Sequence, residues 1–104
     1  SSSPSRPERL SISVKRVHGG EVSNWLFNHL QVGHTIIADQ PKGTFHITKE
    51  SNEPLLLLSA GSGVTPMISI LRYLTDQRDT RDIAFYHQCL TEADIPFMEE
   101  LLML

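Results

Sequence analysis

The chain has 104 residues with 39 % hydrophobic and 20 % charged positions and a net charge of −3. That composition is ordinary for a globular protein and excludes the basic footprint of a nucleic-acid or anionic-membrane binder. The single cysteine, Cys89, excludes an internal disulfide and a four-cysteine iron–sulfur site, and points to a reducing, cytoplasmic setting. No apolar run is long enough to span a bilayer, and the N-terminus does not read as a signal peptide.

In chain order, residues 1–9 are polar, contain Pro4 and Pro7, and read as loop. Residues 10–17 begin by alternating apolar and polar, which predicts a half-buried strand. Gly19-Gly20 breaks that run, and Val22, Trp25, Leu26 and Leu30 then recur at helical spacing. They predict a helix over 22–30, capped at Ser23 or just before it, with Trp25, Leu26 and Leu30 as core. Gly33 ends it. Strands are expected over 35–39 and 44–47, separated by the turn Pro41-Lys42-Gly43. The polar stretch 49–54, ending on Pro54, reads as a linker between domains at 1–48 and 55–104.

Beyond the linker the pattern changes. Leu55-Leu56-Leu57-Leu58 is continuously apolar, as expected of a strand buried on both faces. Gly61-Ser62-Gly63-Val64 is a turn. Thr65 caps the helix that follows, Pro66 takes its first position, and Met67, Ile70, Leu71 and Leu74 share one face. Residues 76–82 form a charged loop and 83–86 a second strand. A last helix starts near Ile95, with Asp94 as cap and Pro96 in its first turn. Strand, helix, strand, helix implies a parallel sheet with a right-handed crossover.

Two stretches carry the chemistry. Strand 55–58 delivers the chain to Gly61 and Gly63, where the backbone can approach a ligand closely, and a helix N-terminus follows at once. The arrangement suits a pyrophosphate; read locally, it serves equally a turn that needs small residues. Pro66 stands where a dinucleotide fingerprint has its third glycine, and no acidic residue near His87 and Gln88 awaits a ribose hydroxyl. In the second stretch Lys15 and Arg16 precede the glycine turn, and Gly20, Val22 and Ser23 open a helix. This is a second anion cradle or, as the commoner local reading, a capped surface helix. The histidines at 18, 29, 34, 46 and 87 show no metal-ligand spacing, so no metal is assigned. His87 and Cys89 follow a strand end, where packed or solvent-facing roles outnumber functional ones. Glu99-Glu100 reads as a solvated helix face.

Together the motifs are specific. Gly20-Glu21-Val22-Ser23-Asn24-Trp25-Leu26 resembles the flavin-pyrophosphate segment of the ferredoxin–NADP reductase superfamily. Gly61-Ser62-Gly63-Val64-Thr65-Pro66 resembles its nicotinamide-nucleotide segment, and Pro41-Lys42-Gly43-Thr44-Phe45 is similar to the turn between them. Ser1-Ser2-Ser3-Pro4 looks like the tail of the family's flavin-stacking motif. With a polar start lacking Met and the uncapped apolar Leu101-Leu102-Met103-Leu104 at the end, the chain reads as a fragment across a domain junction. The resemblance implies the C-terminal part of a flavin-binding antiparallel β-barrel, followed by the first βαβα of a parallel-sheet nucleotide-binding domain. It implies FAD held through Lys15, Arg16, Gly20, Val22 and Ser23, and NADH or NADPH held through Gly61, Gly63, Thr65 and Pro66. Hydride would pass to the flavin, and electrons onward to an acceptor such as an iron–sulfur protein. The alternatives are a non-catalytic module that keeps the fold without flavin, and a phosphate-binding module unrelated to redox. An open half-barrel leaves strand edges and apolar surface exposed, so a marginal monomer, or one that swaps or pairs with a copy of itself, is expected.

Overall fold

The computed structural model describes residues 2–48, 52–89 and 97–103. In chain order the elements are α1 (Glu21–His29), β1 (Leu55–Ala60), a 3-10 turn (Gly61–Gly63), α2 (Val64–Asp76), β2 (Ile83–Gln88) and α3 (Met98–Met103). They fall into two compact units: Ser1–Ser13 with His46–Leu104, and Val14–Phe45.

The larger unit is built on a strand–helix–strand crossover. β1 and β2 pair in parallel, in register from Leu55 opposite Ile83 to Ala60 opposite Gln88. The Leu55 N–H extends the ladder to the Asp82 carbonyl at 2.9 Å. α2 forms because Val64, Met67, Ile68, Leu71 and Leu74 recur at three- and four-residue spacing, which lines one face with apolar side chains. Val64 and Ile68 are fully buried, and with Met67, Leu74 and Leu57 of β1 they make the core. Ile70 and Leu71, expected on the same stripe, are half-buried. The helix ends where Arg78 turns to φ 53°, with the Asp79 N–H donating to the Leu74 carbonyl at 3.0 Å. Asp79 then clasps Arg81 with both carboxylate oxygens, at 3.0 and 2.9 Å, and the Arg81 side chain is only 5 % exposed. No helix among the described residues is long and apolar enough to cross a membrane.

Several expectations are corrected. The leucine run is covered on one face only: Leu57 is buried, whereas Leu56 and Leu58 stand 59 % and 60 % exposed beside Tyr86 at 63 %. Side chains alternate across a strand, and a single helix covers a single face. The segments 10–17, 35–39 and 44–47 carry no strand among the described residues. A strand exists only when a neighbour takes up its backbone N–H and C=O groups, and their alternating sequence finds no such neighbour here. α2 starts at Val64, not at Pro66, and its N-cap is Gly63, which places Thr65 and Pro66 inside the first turn. α3 begins at Met98; the cap and first turn expected at Asp94, Ile95 and Pro96 lie outside the described residues. Glu99 is exposed as expected. Glu100 instead accepts a fork from Arg72 at 2.7 and 2.6 Å, tying α3 to α2.

The N-terminal segment is more than a polar loop. Ser69 of α2 donates its hydroxyl to the Ser2 carbonyl at 2.7 Å, and Ser3 is 5 % exposed. Ser5 Oγ and Arg6 Nη2 both donate to the Asp76 carboxylate, at 2.5 and 2.9 Å, fixing the segment to the C-terminal end of α2.

The smaller unit contains α1 and no buried residue among its described positions. α1 begins one residue before the expected start, its N-cap is Gly20 without a side-chain hydrogen bond, and Ser23 sits within the first turn and does not cap it. Trp25 is 50 % and Leu30 40 % exposed, and Leu26 is half-buried, so these residues are not a core here. One nine-residue helix has no second layer within its unit against which to bury an apolar face.

Candidate functional site

The glycine turn after β1 is the best-defined feature. Ser59 and Ala60 end the strand, Gly61 takes φ +54°, and the chain passes through Ser62 and Gly63 directly into α2. Glycine is required at position 61, because a positive φ strains any residue with a Cβ. Gly63 has an ordinary φ of −64° and could structurally be another residue. A Cβ added at either position would meet nothing within 4 Å. Neither glycine is therefore explained by internal crowding; both keep a surface free of side chain at the head of α2. The Val64 N–H folds back onto the Gly61 and Ser62 carbonyls, and no side chain caps the helix. Pro66, third in the helix, lacks only an N–H that the first turn leaves without an intrahelical partner. Thr65 is half-buried beside it. An open glycine surface at an uncapped helix N-terminus, just past the C-terminal end of a parallel strand, fits the phosphates of a dinucleotide.

A second turn, at residues 16–24, lies in the smaller unit. Gly19 has φ +74°, and the Gly20 N–H donates to the Val17 carbonyl at 2.9 Å. Here crowding does explain the glycine: a Cβ on Gly20 would lie 2.8 Å from Ser23 Oγ and 3.1 Å from the Val17 carbonyl oxygen. Ser23 Oγ accepts from the Val17 N–H at 3.1 Å and keeps its own proton to donate. Asn24 closes the turn through its amide, which donates to the Val17 carbonyl at 2.8 Å and to the Gly20 carbonyl. Arg16 Nε donates to Asn24 Oδ1 at 2.7 Å, and its guanidinium lies 4.4 Å from the centre of the Phe27 ring. Lys15 and Val22 are exposed. The available donors, Arg16, Ser23 and the uncapped start of α1, fit an anion.

The structure thus places Gly61, Gly63, Thr65 and Pro66 at one turn and Arg16, Gly20, Val22 and Ser23 at another in a separate unit, with Lys15 exposed just ahead of the second. Sequence reasoning did not single out Asn24, because its role depends on a turn that folds three carbonyl and side-chain partners around one amide. Ser59 was missed as well. It stands in register with His87 on β2, and Ser59 Oγ lies 2.8 Å from His87 Nδ1. His87 Nε2 is buried without a partner among the described residues. That ring borders a groove of about 650 Å3 between α2, β2 and α3, lined by Leu71, Leu74, Phe85 and Leu101, which excludes the glycine turn. Cys89 is a free thiol of intermediate exposure. Among the described residues no cluster of His, Cys, Asp or Glu has the geometry of a metal site.

Residues 57–104, which include the first glycine turn described, match the oxidoreductase NAD-binding domain family. That match and the relatives that follow support the ferredoxin–NADP reductase-like family for this chain. It is 44 % identical over 101 residues to the glycine betaine monooxygenase reductase subunit of Chromohalobacter salexigens, covering 97 % of this chain and 27 % of that protein. It is 42 % identical over 103 residues to the flavohemoprotein of Bordetella pertussis, covering 96 % and 25 %. To the reductase component of propane 2-monooxygenase from Mycolicibacterium smegmatis it is 31 % identical over 100 residues, covering 96 % and 29 %. The chain therefore spans about a quarter of the length of these curated relatives. Both glycine turns lie within the aligned length.

Proposed function

We propose that the chain carries the cofactor-binding core of an NAD(P)H-dependent flavin oxidoreductase that passes electrons through FAD to an acceptor protein. The open glycine surface between β1 and α2, inside the stretch matching an NAD-binding family, supports this reading most directly. Gly61 and Gly63 let the nucleotide's phosphates approach the backbone, and Thr65 and Pro66 shape the first turn behind them. Lys15, Arg16, Gly20, Val22 and Ser23 form the flavin-phosphate cradle. When bound, nicotinamide and flavin supply the hydride and electron chemistry, and the protein supplies position and charge. The names of relatives in monooxygenase and flavohemoprotein systems support a redox acceptor protein as partner, of which an iron–sulfur protein is one class.

A visible absorption spectrum of the purified chain, before and after FAD is added, tests the flavin part. Flavin bands that stay with the protein through gel filtration, and bleach when NADH or NADPH is added, are the expected result. A second reading, a module of this fold that holds no flavin, is favoured by the lack of any buried residue among the described positions of the smaller unit. A colourless protein that still binds nicotinamide nucleotide would establish it.

A further inference from the structure

Arg16 is held in place by two partners, and Asn24 is one of them. A surface arginine normally samples many rotamers, and ordering it at the moment of binding weakens affinity. Here Nε is tied to Asn24 Oδ1 at 2.7 Å, and the guanidinium carbon lies over the Phe27 ring, 4.4 Å from its centre. Among the described residues the two terminal Nη groups of Arg16 make no hydrogen bond. The guanidinium is thus fixed at its Nε edge with its Nη edge free, the orientation needed for a forked contact with a phosphate. The other end of the same Asn24 side chain donates to the Val17 and Gly20 carbonyls. One side chain therefore couples the position of the arginine to the glycine turn that opens α1.

We propose that Asn24 is a positioning residue for a diphosphate-bearing flavin: it presets Arg16 against the Gly19-Gly20 turn, so that cation and helix start face the phosphates together. The inference rests on the flavin-phosphate reading of this turn and adds to it the residue that organises the cradle. Asn24 itself touches no phosphate. Its effect passes through Arg16, so the two residues act as one unit.

Equilibrium binding of FAD and of riboflavin, which has no phosphate, tests this on the full chain with Asn24→Ala, Arg16→Met and the double variant. Each single variant is expected to weaken FAD binding about tenfold, the loss of roughly one hydrogen bond to a charged group. Riboflavin binding should stay unchanged, since a merely structural role would disturb both ligands alike. The double variant should be no weaker than either single one, because residues acting as a unit are not additive. Arg16→Met leaves the Asn24 bonds to the turn intact, so it tests the assignment even where Asn24→Ala unfolds α1 by circular dichroism. An Arg16→Met protein with unaltered FAD affinity would overturn the proposal. So would a double variant about a hundredfold weaker, the product of independent losses. A wild-type chain that binds no FAD would instead remove the flavin reading of the turn, and this inference with it.

Discussion

Gly63→Ala should separate folding from the nucleotide binding proposed for the turn between β1 and α2. Gly63 has φ −64° and ψ −5°, a conformation alanine adopts freely, and its added Cβ would meet no atom within 4 Å. Two effects on stability oppose each other. Alanine restricts the unfolded chain, a gain of about 0.4–1 kcal/mol at a compatible backbone position. It is also a poorer N-cap than glycine, a loss on the order of 0.5–1 kcal/mol. The net change in unfolding free energy should therefore lie within about 0.5 kcal/mol of zero. Binding has no such cancellation. In the proposed cradle the methyl group should enter the surface left open at the head of α2 and hold a phosphate away from the backbone. Losing one hydrogen bond between backbone and phosphate costs about 1.5–3 kcal/mol, or roughly ten- to a hundredfold in Kd. Gly61→Ala is the contrast: the same open space but φ +54°, so strain of about 1–2 kcal/mol should appear in stability as well. Urea denaturation and a fluorescence titration with NADH and NADPH read the two quantities separately. A Gly63→Ala chain that is as stable as wild type and binds nucleotide equally well would refute the cradle. One that fails to fold would refute the open geometry around Gly63.

Three further outcomes follow from the larger unit. Ile68→Ala empties a fully buried site in a core of five apolar side chains among the described residues and should cost about 2–5 kcal/mol, enough to abolish a cooperative thermal transition in a marginal domain. Asp76 is held below the usual carboxylate range by the hydroxyl of Ser5 and then by Arg6. A depressed folded value contributes stability above the ordinary carboxylate value, lost as pH falls through the lowered one; Asp76→Asn should remove that acid-side loss from a pH series of unfolding curves. Glu100→Gln leaves one fork of Arg72 without its anion. Because Glu100 is 36 % exposed, the change should be about 0.5–1 kcal/mol at most and shrink in high salt, read as faster hydrogen exchange in α3.

The crossover from β1 through α2 to β2 was legible because each element states its period locally. A leucine run, two glycines, and apolar residues at three- and four-residue spacing leave few alternatives over residues 55–86. Boundaries were less legible: whether Thr65 or Gly63 caps α2 depends on the 3-10 turn, which Gly61 permits and no periodicity announces. The leucine run suggested two covered faces because a sequence records how apolar a strand is, not how many layers its neighbours supply. The predicted strands at 10–17, 35–39 and 44–47 failed for a related reason. Alternation marks a half-buried strand only where a partner exists to complete the ladder. Gly61 and Gly63 are legible from the motif, whereas the bond from Arg16 to Asn24, the Ser59–His87 pair and, away from both turns, the clasp of Ser5 and Arg6 on Asp76 are contacts between side chains. The last of these spans some seventy positions in the chain, beyond the reach of any local pattern.

Backbone amide NMR of the chain during titration with NADH and then NADPH decides whether the turn between β1 and α2 is a nicotinamide-nucleotide cradle. Saturable shifts concentrated at Gly61, Ser62, Gly63, Val64 and Thr65, with smaller changes elsewhere in the larger unit, are the expected result. Saturable binding that leaves those amides unmoved, or no binding of either nucleotide to a folded chain, would contradict it.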